Sequence, residues 1–254
     1  MTGGRSETGG RGETGGRGVT GGAQGVTGGA QGVTGKGSAG RVIAGTARGI
    51  RLAAPGEATR PLADRVKQTL FAILEPDLPG ARVLDLFAGS GAGGIEALSR
   101  GAAVAVFVDR DQGAVATIKA NLARTHLGGA SAIVVQADAV RWAAEAAGPV
   151  AGPYDLILVD PPYDRPDLLA ATLERLGAGR VLATRGQVVA KHFWKDRPPG
   201  RAGLLASVRE RRFGETALTF YRAGGAIDGD ADAVVDASAD GDASADGDAD
   251  EEDG

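Results

Sequence analysis

The chain has 254 residues, no cysteine and two histidines, His126 and His192, which excludes disulfides, a thiol nucleophile, a cysteine-held zinc and a multi-histidine metal centre. No apolar run approaches the ~20 residues that cross a bilayer, and the Gly-rich start lacks a signal peptide's apolar centre, so a soluble cytoplasmic monomer without metal is expected. The net charge of −4 is unevenly spread: residues 228–254 hold twelve Asp or Glu and no Lys or Arg, residues 1–40 hold four basic and two acidic side chains, and 41–227 is left at +6, a sign compatible with a polyanionic partner.

Residues 1–40 contain 17 glycines and repeat Gly-Val-Thr-Gly-Gly-Ala-Gln at 18–24 and 25–31. Residues 228–254 repeat Ala-Ser-Ala-Asp-Gly-Asp. Neither stretch has enough large apolar groups to offset the entropy of ordering it, so both are expected to be disordered tails around one domain, 41–227. That domain opens with Arg41-Val-Ile-Ala44 and Ile50-Arg-Leu-Ala53 around a Gly-containing turn, which predicts a small hairpin. Leu62, Val66, Leu70, Ile73 and Leu74 then share one helical face, with Pro61 in the first turn and Pro76 after the last. Arg41, Arg48, Arg51, Arg60, Arg65 and Lys67 crowd this unit against Glu57 and Asp64. They form either a solvated surface or a nucleic-acid contact; in the second reading Arg41, Arg48, Arg60, Arg65 and Lys67 are the candidate RNA contacts.

After Pro79-Gly80, strands and helices alternate. Strands are predicted at Arg82–Leu86, Ala103–Val108, Ser131–Val135, Tyr154–Val159 and Gln187–Lys191, and helices at Gly93–Arg100, 111–125, Val140–Ala147 and Pro166–Leu176. Two adjacent strands, 204–212 and 217–222, follow without a helix between them. Apolar strands separated by helices imply an α/β fold with a mostly parallel, doubly covered sheet, here closed by an antiparallel edge hairpin. The domain then divides into an N-terminal hairpin–helix extension, 41–79, and a cofactor-binding core, 80–227.

Two strings carry the chemistry. In Asp85-Leu-Phe-Ala-Gly-Ser-Gly91 a strand end turns through glycines into a helix, where a ligand can approach the backbone closely. Gly89-Ser-Gly91-Ala-Gly93-Gly94 also matches the dinucleotide pattern G-x-G-x-x-G. Asp109, twenty residues after Gly89, suits ribose hydroxyls in either cofactor class. Asp85 tips the balance from a dinucleotide to S-adenosylmethionine (SAM): its carboxylate can meet the cationic methionyl amino group and would serve a pyrophosphate poorly. Phe87, Ala88 and Arg110 flank these positions. Asp138 can accept an adenine amine beside the Ala139 N–H, and can also cap the helix that follows; Asp111 is expected to be a pure cap. The candidate cofactor residues are therefore Asp85, Phe87, Ala88, Gly89, Gly91, Asp109, Arg110, Asp138 and Ala139.

Asp160-Pro-Pro-Tyr163 directly follows a buried-type strand. The prolines fix the backbone and have no N–H, which frees their carbonyls for a substrate. An exocyclic base amine is a poor nucleophile, because its lone pair is delocalised into the ring. Accepting its hydrogens at the Asp160 carboxylate and the Pro161 carbonyl favours a pyramidal nitrogen, and Tyr163 can stack on the base for ~1–3 kcal/mol. Asp160, Pro161, Pro162 and Tyr163 are thus the candidate catalytic residues. His126 is expected to end a helix, both histidines to be structural or solvated rather than catalytic, and Trp142 and Trp194 to be core or rim packing residues.

These strings, with Arg41-Val-Ile-Ala-Gly45, Thr59-Arg60-Pro61, Asp64-Arg-Val-Lys67, Leu70-Phe71 and Gly214-Glu-Thr-Ala-Leu-Thr-Phe-Tyr-Arg222, resemble the bacterial 16S ribosomal RNA guanine-N2 methyltransferases of the RsmD type over about 41–222. The resemblance implies a Rossmann-like class I SAM-dependent methyltransferase fold and 16S rRNA as partner, within an assembling small subunit. It implies the N2 amine of one guanine, the family's position 966, as acceptor. Leu62 stands where the family often has threonine or serine, and Asp109 where it often has glutamate; both tails fall outside the family pattern. Two rivals stand beside it: a DNA adenine-N6 methyltransferase, and a non-catalytic RNA-binding assembly factor.

Overall fold

Strand 82–86 is apolar on both faces apart from Arg82 at its start and one carboxylate, and it becomes the centre of the sheet. The computed structural model describes residues 38–56, 64–145, 150, 152–179 and 181–224. An antiparallel pair, β1 (Ser38–Arg41) and β2 (Arg51–Ala53), opens the chain, followed by α1 (Asp64–Leu74) and a 3-10 turn. The core then runs β3 (Arg82–Leu86), α2 (Ala92–Ser99), β4 (Val104–Asp109), α3 (Gln112–Thr125), β5 (Ala132–Gln136) and α4 (Ala139–Glu145). It continues with β6 (Tyr154–Val159), α5 (Pro166–Ala178), β7 (Leu182–Phe193), β8 (Arg201–Ala202), β9 (Leu205–Phe213) and β10 (Thr216–Ala223). The sheet order is β5-β4-β3-β6-β7-β10-β9-β8, parallel through β7 and antiparallel beyond it. This is the predicted Rossmann-like architecture with an antiparallel edge. The order reverses between β3 and β6, and the crevice at such a switch point is where ligands of open α/β sheets bind.

Alternation along the strands sorts side chains into two apolar layers. Val83, Ala105, Phe107, Leu156, Leu158, Leu218 and Phe220 face α1, α2 and α3. Leu84, Leu86, Val106, Val108, Ile157, Val159 and Tyr221 face α4 and α5. The N-terminal unit shares the first layer through Val42, Leu52, Val66, Leu70, Phe71 and Leu74. Glycine lets α2 lie close to the sheet: a Cβ at Gly94 would fall 2.3 Å from the buried Phe107 ring. Gly94→Ala is expected to lose about 1–3 kcal/mol, the cost of overpacking a filled core. A denaturant titration checks it; an unchanged midpoint would mean that α2 retreats freely.

Several boundaries differ from the sequence expectation. The hairpin strands lie at 38–41 and 51–53, so Ser38–Gly40, assigned to the disordered tail, are ordered as a strand. Strand β7 runs from Leu182 to Phe193 rather than from Gln187 to Lys191, and its pairing with β6 jumps from Tyr154↔Leu182 to Leu156↔Gln187, a bulge through Thr184-Arg-Gly186. The two-residue β8 is too short to leave a pattern. Arg60, Pro61 and Leu62, the end of the predicted helix at 146–147, and the tails other than 38–40 lie outside the described residues.

Lys67, read as an RNA contact, points inward instead: its side chain is 0 % exposed, its Nζ donates to the Arg41 carbonyl, and Glu96 lies 3.9 Å away. The helical face that is buried includes Phe71 as well as Val66, Leu70 and Leu74, and Lys67 lies one turn before Phe71 on it. Burial lowers the Lys67 pKa, with Glu96 opposing. Arg41 is paired with Asp64 at 3.4 Å, while Arg48 and Arg65 are exposed.

Candidate active site

Four carboxylates stand at the C-terminal ends of four adjacent strands. Along the sheet they are Asp138 after β5, Asp109 at the end of β4, Asp85 on β3 and Asp160 after β6. The parallel register places Leu86 beside Val159 and Asp85 beside Phe107 and Leu158, and the Asp160 N–H donates to the Leu86 carbonyl at 3.3 Å. The sequence-predicted cofactor and catalytic residues therefore meet along one edge.

The Gly-rich turn is built around these acids. Phe87 has φ +58°, a left-handed conformation rare for a bulky residue, and Gly91 caps α2 at φ +75°. Strain of this kind persists where surrounding structure enforces it, often at binding sites. Here the enforcement is visible: Ala88 N–H donates to the Val108 carbonyl, Gly91 N–H to the Ala88 carbonyl, and Gly89 N–H to Asp109 Oδ2 at 2.8 Å. Asp109 Oδ1 accepts from Asp111 N–H at 2.9 Å, so its carboxylate is fixed from both sides. Asp111 caps α3 through Ala114 N–H, as its sequence position predicts. Asp138 is exposed and accepts from Arg141 N–H at 2.9 Å, with buried Ala139 beside it; the exposed Arg110 carbonyl accepts from Gln136.

Asp85 is only 4 % exposed, and its Oδ2 accepts from Gly94 N–H at 2.8 Å. Its Oδ1 has no protein partner among the described residues. Burial, with Asp160 and Asp109 adding like charge, raises its pKa to about 7 against the pull of the Gly94 N–H. A buried carboxylate with one oxygen unmatched is suited to a cation, and a pyrophosphate there would meet like charge.

On the other side of the switch point, Asp160 is held by a residue that sequence reading misses. Lys191 of β7, buried beneath the loop, donates to Asp160 Oδ1 at 2.7 Å and Oδ2 at 2.8 Å, and lies 5.0 Å from the Tyr163 ring centre. Burial works to lower the Lys191 pKa, but Asp160 and Tyr163 outweigh it and hold the ammonium above its ordinary range. Tyr163 OH pairs with Thr216 Oγ1 at 2.8 Å, which fixes the ring. Pro162, expected to offer a free carbonyl, gives it to Arg165 N–H at 3.0 Å within the turn. No described donor takes the Pro161 carbonyl. A cavity of about 220 Å³ opens beside the loop, lined by Pro161, Pro162, Tyr163, Lys191, Phe193 and Arg197 among others. It is smaller than the ~300–1,000 Å³ of drug-sized pockets, the scale of one base.

The family described as "Conserved hypothetical protein 95" matches residues 40–222. The chain belongs to that family. It is 40% identical over 186 residues to the Bacillus subtilis protein named "Putative rRNA methyltransferase YlbH", spanning 73% of this chain and all of the relative. It is 34% identical over 193 residues to Escherichia coli "Ribosomal RNA small subunit methyltransferase D", 76% of this chain and 94% of that one. A solved structure described as "Putative methyltransferase yhhF from Escherichia coli" superposes with a TM-score of 0.62 at 35% identity, covering 74% of this chain and 99% of that chain. These relatives are named as methyltransferases, which speaks against the dinucleotide reading of the glycines.

The remaining sequence assignments fall into place around the site. His126 caps α3 at φ +58°. His192 is buried, bonded to Phe193 O and Thr219 Oγ1, and burial lowers its pKa. Trp142 packs against Tyr154 in the second apolar layer.

Proposed function

We propose that this chain transfers a methyl group from SAM to the exocyclic N2 amine of a guanine in small-subunit ribosomal RNA. The observation that carries the reading is the pairing at the switch point of an unmatched, cation-seeking Asp85 with an Asp160 carboxylate held by Lys191, next to a Pro161 that lines a cavity of about 220 Å³. The named relatives support ribosomal RNA as the acceptor, and the resemblance over 41–222 supports guanine N2. The arrangement itself serves any planar exocyclic amine.

The cofactor supplies an electrophilic methyl on a sulfonium. Asp85 would hold its amino group, Asp109 its ribose hydroxyls, and Asp138 with the Ala139 N–H its adenine. At the acceptor side Lys191 occupies one acceptor site on each Asp160 oxygen, and a carboxylate has about four, so Asp160 still accepts an amine hydrogen. The Pro161 carbonyl accepts the other, and Tyr163, immobilised by Thr216, flanks the base. Methyl transfer leaves a surplus proton on the amine; the Asp160 carboxylate, held in place by Lys191, is the acceptor for it. Positioning and electrostatics then provide the rate enhancement.

Two measurements test this reading. Labelled SAM offered with small-subunit rRNA or duplex DNA is expected to mark the RNA; label in DNA adenine would favour the adenine-N6 alternative. Because the free enzyme's Asp85 titrates at about 7, binding a cation below that pH must expel a proton. SAM affinity is expected to rise up to about tenfold per pH unit from 5.5 to 7, below the ~7.7–8.0 at which an α-amino group titrates. Asp85→Asn is expected to bind weakly with no such slope. Calorimetry in two buffers of different ionisation enthalpy counts the proton, and none released at pH 6 would contradict the role of Asp85.

A further inference from the structure

The strand directions bring a second basic surface to the catalytic end of the sheet. β7 is parallel to β6, and β9 runs the same way because both are antiparallel to β10. The residues after β7 and the C-terminal end of β9 therefore lie at the same end as Asp160. Trp194 is half-buried there, its backbone N–H donating to the Glu215 carbonyl at 3.1 Å in the β9–β10 turn. The Arg212 guanidinium lies 3.7 Å from the Trp194 ring centre, and Lys195 Nζ lies 5.4 Å from it. Arg212 Nε donates to the Gly214 carbonyl at 3.0 Å, and its terminal nitrogens have no described protein partner. Arg197 is exposed, lines the cavity beside Tyr163, and has no described ion pair. Asp196 and Glu215 are the acids of these two turns.

We propose that Lys195, Arg197 and Arg212, with Trp194 as the platform that fixes Arg212, form a second RNA-contact surface for the strand flanking the target nucleotide. It rests on the reading of RNA as acceptor and adds the place where the backbone is gripped. A base seated in the cavity leaves its 5′ and 3′ phosphates outside, where Arg197 lines the wall beside Asp196 and where Lys195 and Arg212 flank Trp194 on the adjoining turns. An arginine stacked on an indole face with its Nε already satisfied keeps two N–H-bearing nitrogens pre-oriented for a phosphate. The Tyr163–Thr216 hydrogen bond ties the same turn to the catalytic loop, so a grip on the backbone registers the base against Asp160.

The test uses the full chain and transcribed small-subunit rRNA over a salt series. Arg197→Gln/Arg212→Gln is expected to bind roughly tenfold more weakly at low salt and to lower the slope of log affinity against log salt by about 1.4–1.8, two phosphate contacts' worth. Arg201→Gln, on β8 beside the opposite end of β9, is expected to match the wild type, and the double variant is expected to keep its SAM affinity and Tm. If the double variant proves unstable, Arg197→Gln alone, which removes no described intramolecular bond, is expected to lower the slope by about 0.7–0.9. Wild-type affinity and slope in a folded variant would overturn the proposal. If the wild type methylates the RNA but the variant's KM is unchanged, this surface alone is refuted. If the wild type transfers no methyl to RNA, the functional reading falls and the surface with it.

Discussion

Asp160→Ala is expected to slow single-turnover methyl transfer at saturating SAM and RNA by about a hundredfold or more while leaving SAM affinity within a few-fold of wild type. The size follows from what one pre-organised polar group aimed at the reacting atoms is worth, ~10²–10³ in rate. Selectivity for the rate follows from geometry: Asp160 lies across the switch point from the Gly-rich turn, and its hydrogen bond to the amine strengthens as the lone pair leaves the ring. Lys191 gives the prediction a second arm. Lys191→Met removes the ammonium bonded to both Asp160 oxygens at 2.7 and 2.8 Å, so the carboxylate loses its fixed orientation, and a large drop in turnover is again expected. Near-wild-type single-turnover rates in Asp160→Ala would contradict amine positioning by this loop.

The largest loss of stability is expected from Glu96→Ala. Glu96 of α2 is fully buried and accepts from Ile43 N–H at 2.8 Å, Ala44 N–H at 3.0 Å and Arg100 Nε at 2.9 Å, with Lys67 Nζ at 3.9 Å. Removing it leaves two backbone donors unmatched and takes the buried carboxylate from Arg100 and Lys67, which keep Glu75 at 3.6 Å and the Arg41 carbonyl respectively. Breaking one side of a buried ion pair costs about 3–5 kcal/mol, which for a domain of this size lowers Tm by about 10 °C or more. Glu96→Gln, which keeps the shape and one acceptor oxygen, is expected to lose less. Thermal unfolding of the three proteins checks the order, and a Tm for Glu96→Ala within about 2 °C of wild type would mean that the N-terminal unit is not anchored there.

Local signals were legible in the sequence. The alternation of apolar runs with helical periods yields the sheet and its antiparallel edge, and the acids directly after strands mark the crevice, because strand ends and Gly-rich turns are set by nearby residues. Long-range partners leave no such trace. Lys191 sits in Val-Val-Ala-Lys-His-Phe, where a lysine at a strand end reads as solvent-facing, and only the β6–β7 pairing brings it under Asp160. Glu96 in Gly-Ile-Glu-Ala-Leu-Ser reads as the polar face of α2, and only the packing of residues 43–47 across that helix buries it. Trp194, expected to be a packing residue, carries Arg212 because β9 and β10 fold that arginine back over it. The error on Lys67 came from a helical stripe drawn without Phe71, which shifts the buried face by one position.

The central claim is the identity of the methylated atom. Ribosomal RNA from cells lacking this gene, with and without complementation by the wild type or Asp160→Ala, digested to nucleosides and resolved by mass, tests it most directly. The account predicts that one N2-methylguanosine of the small-subunit RNA disappears on deletion, returns with the wild-type gene and does not return with Asp160→Ala. An unchanged N2-methylguanosine content, or loss of an N6-methyladenosine in its place, would contradict it.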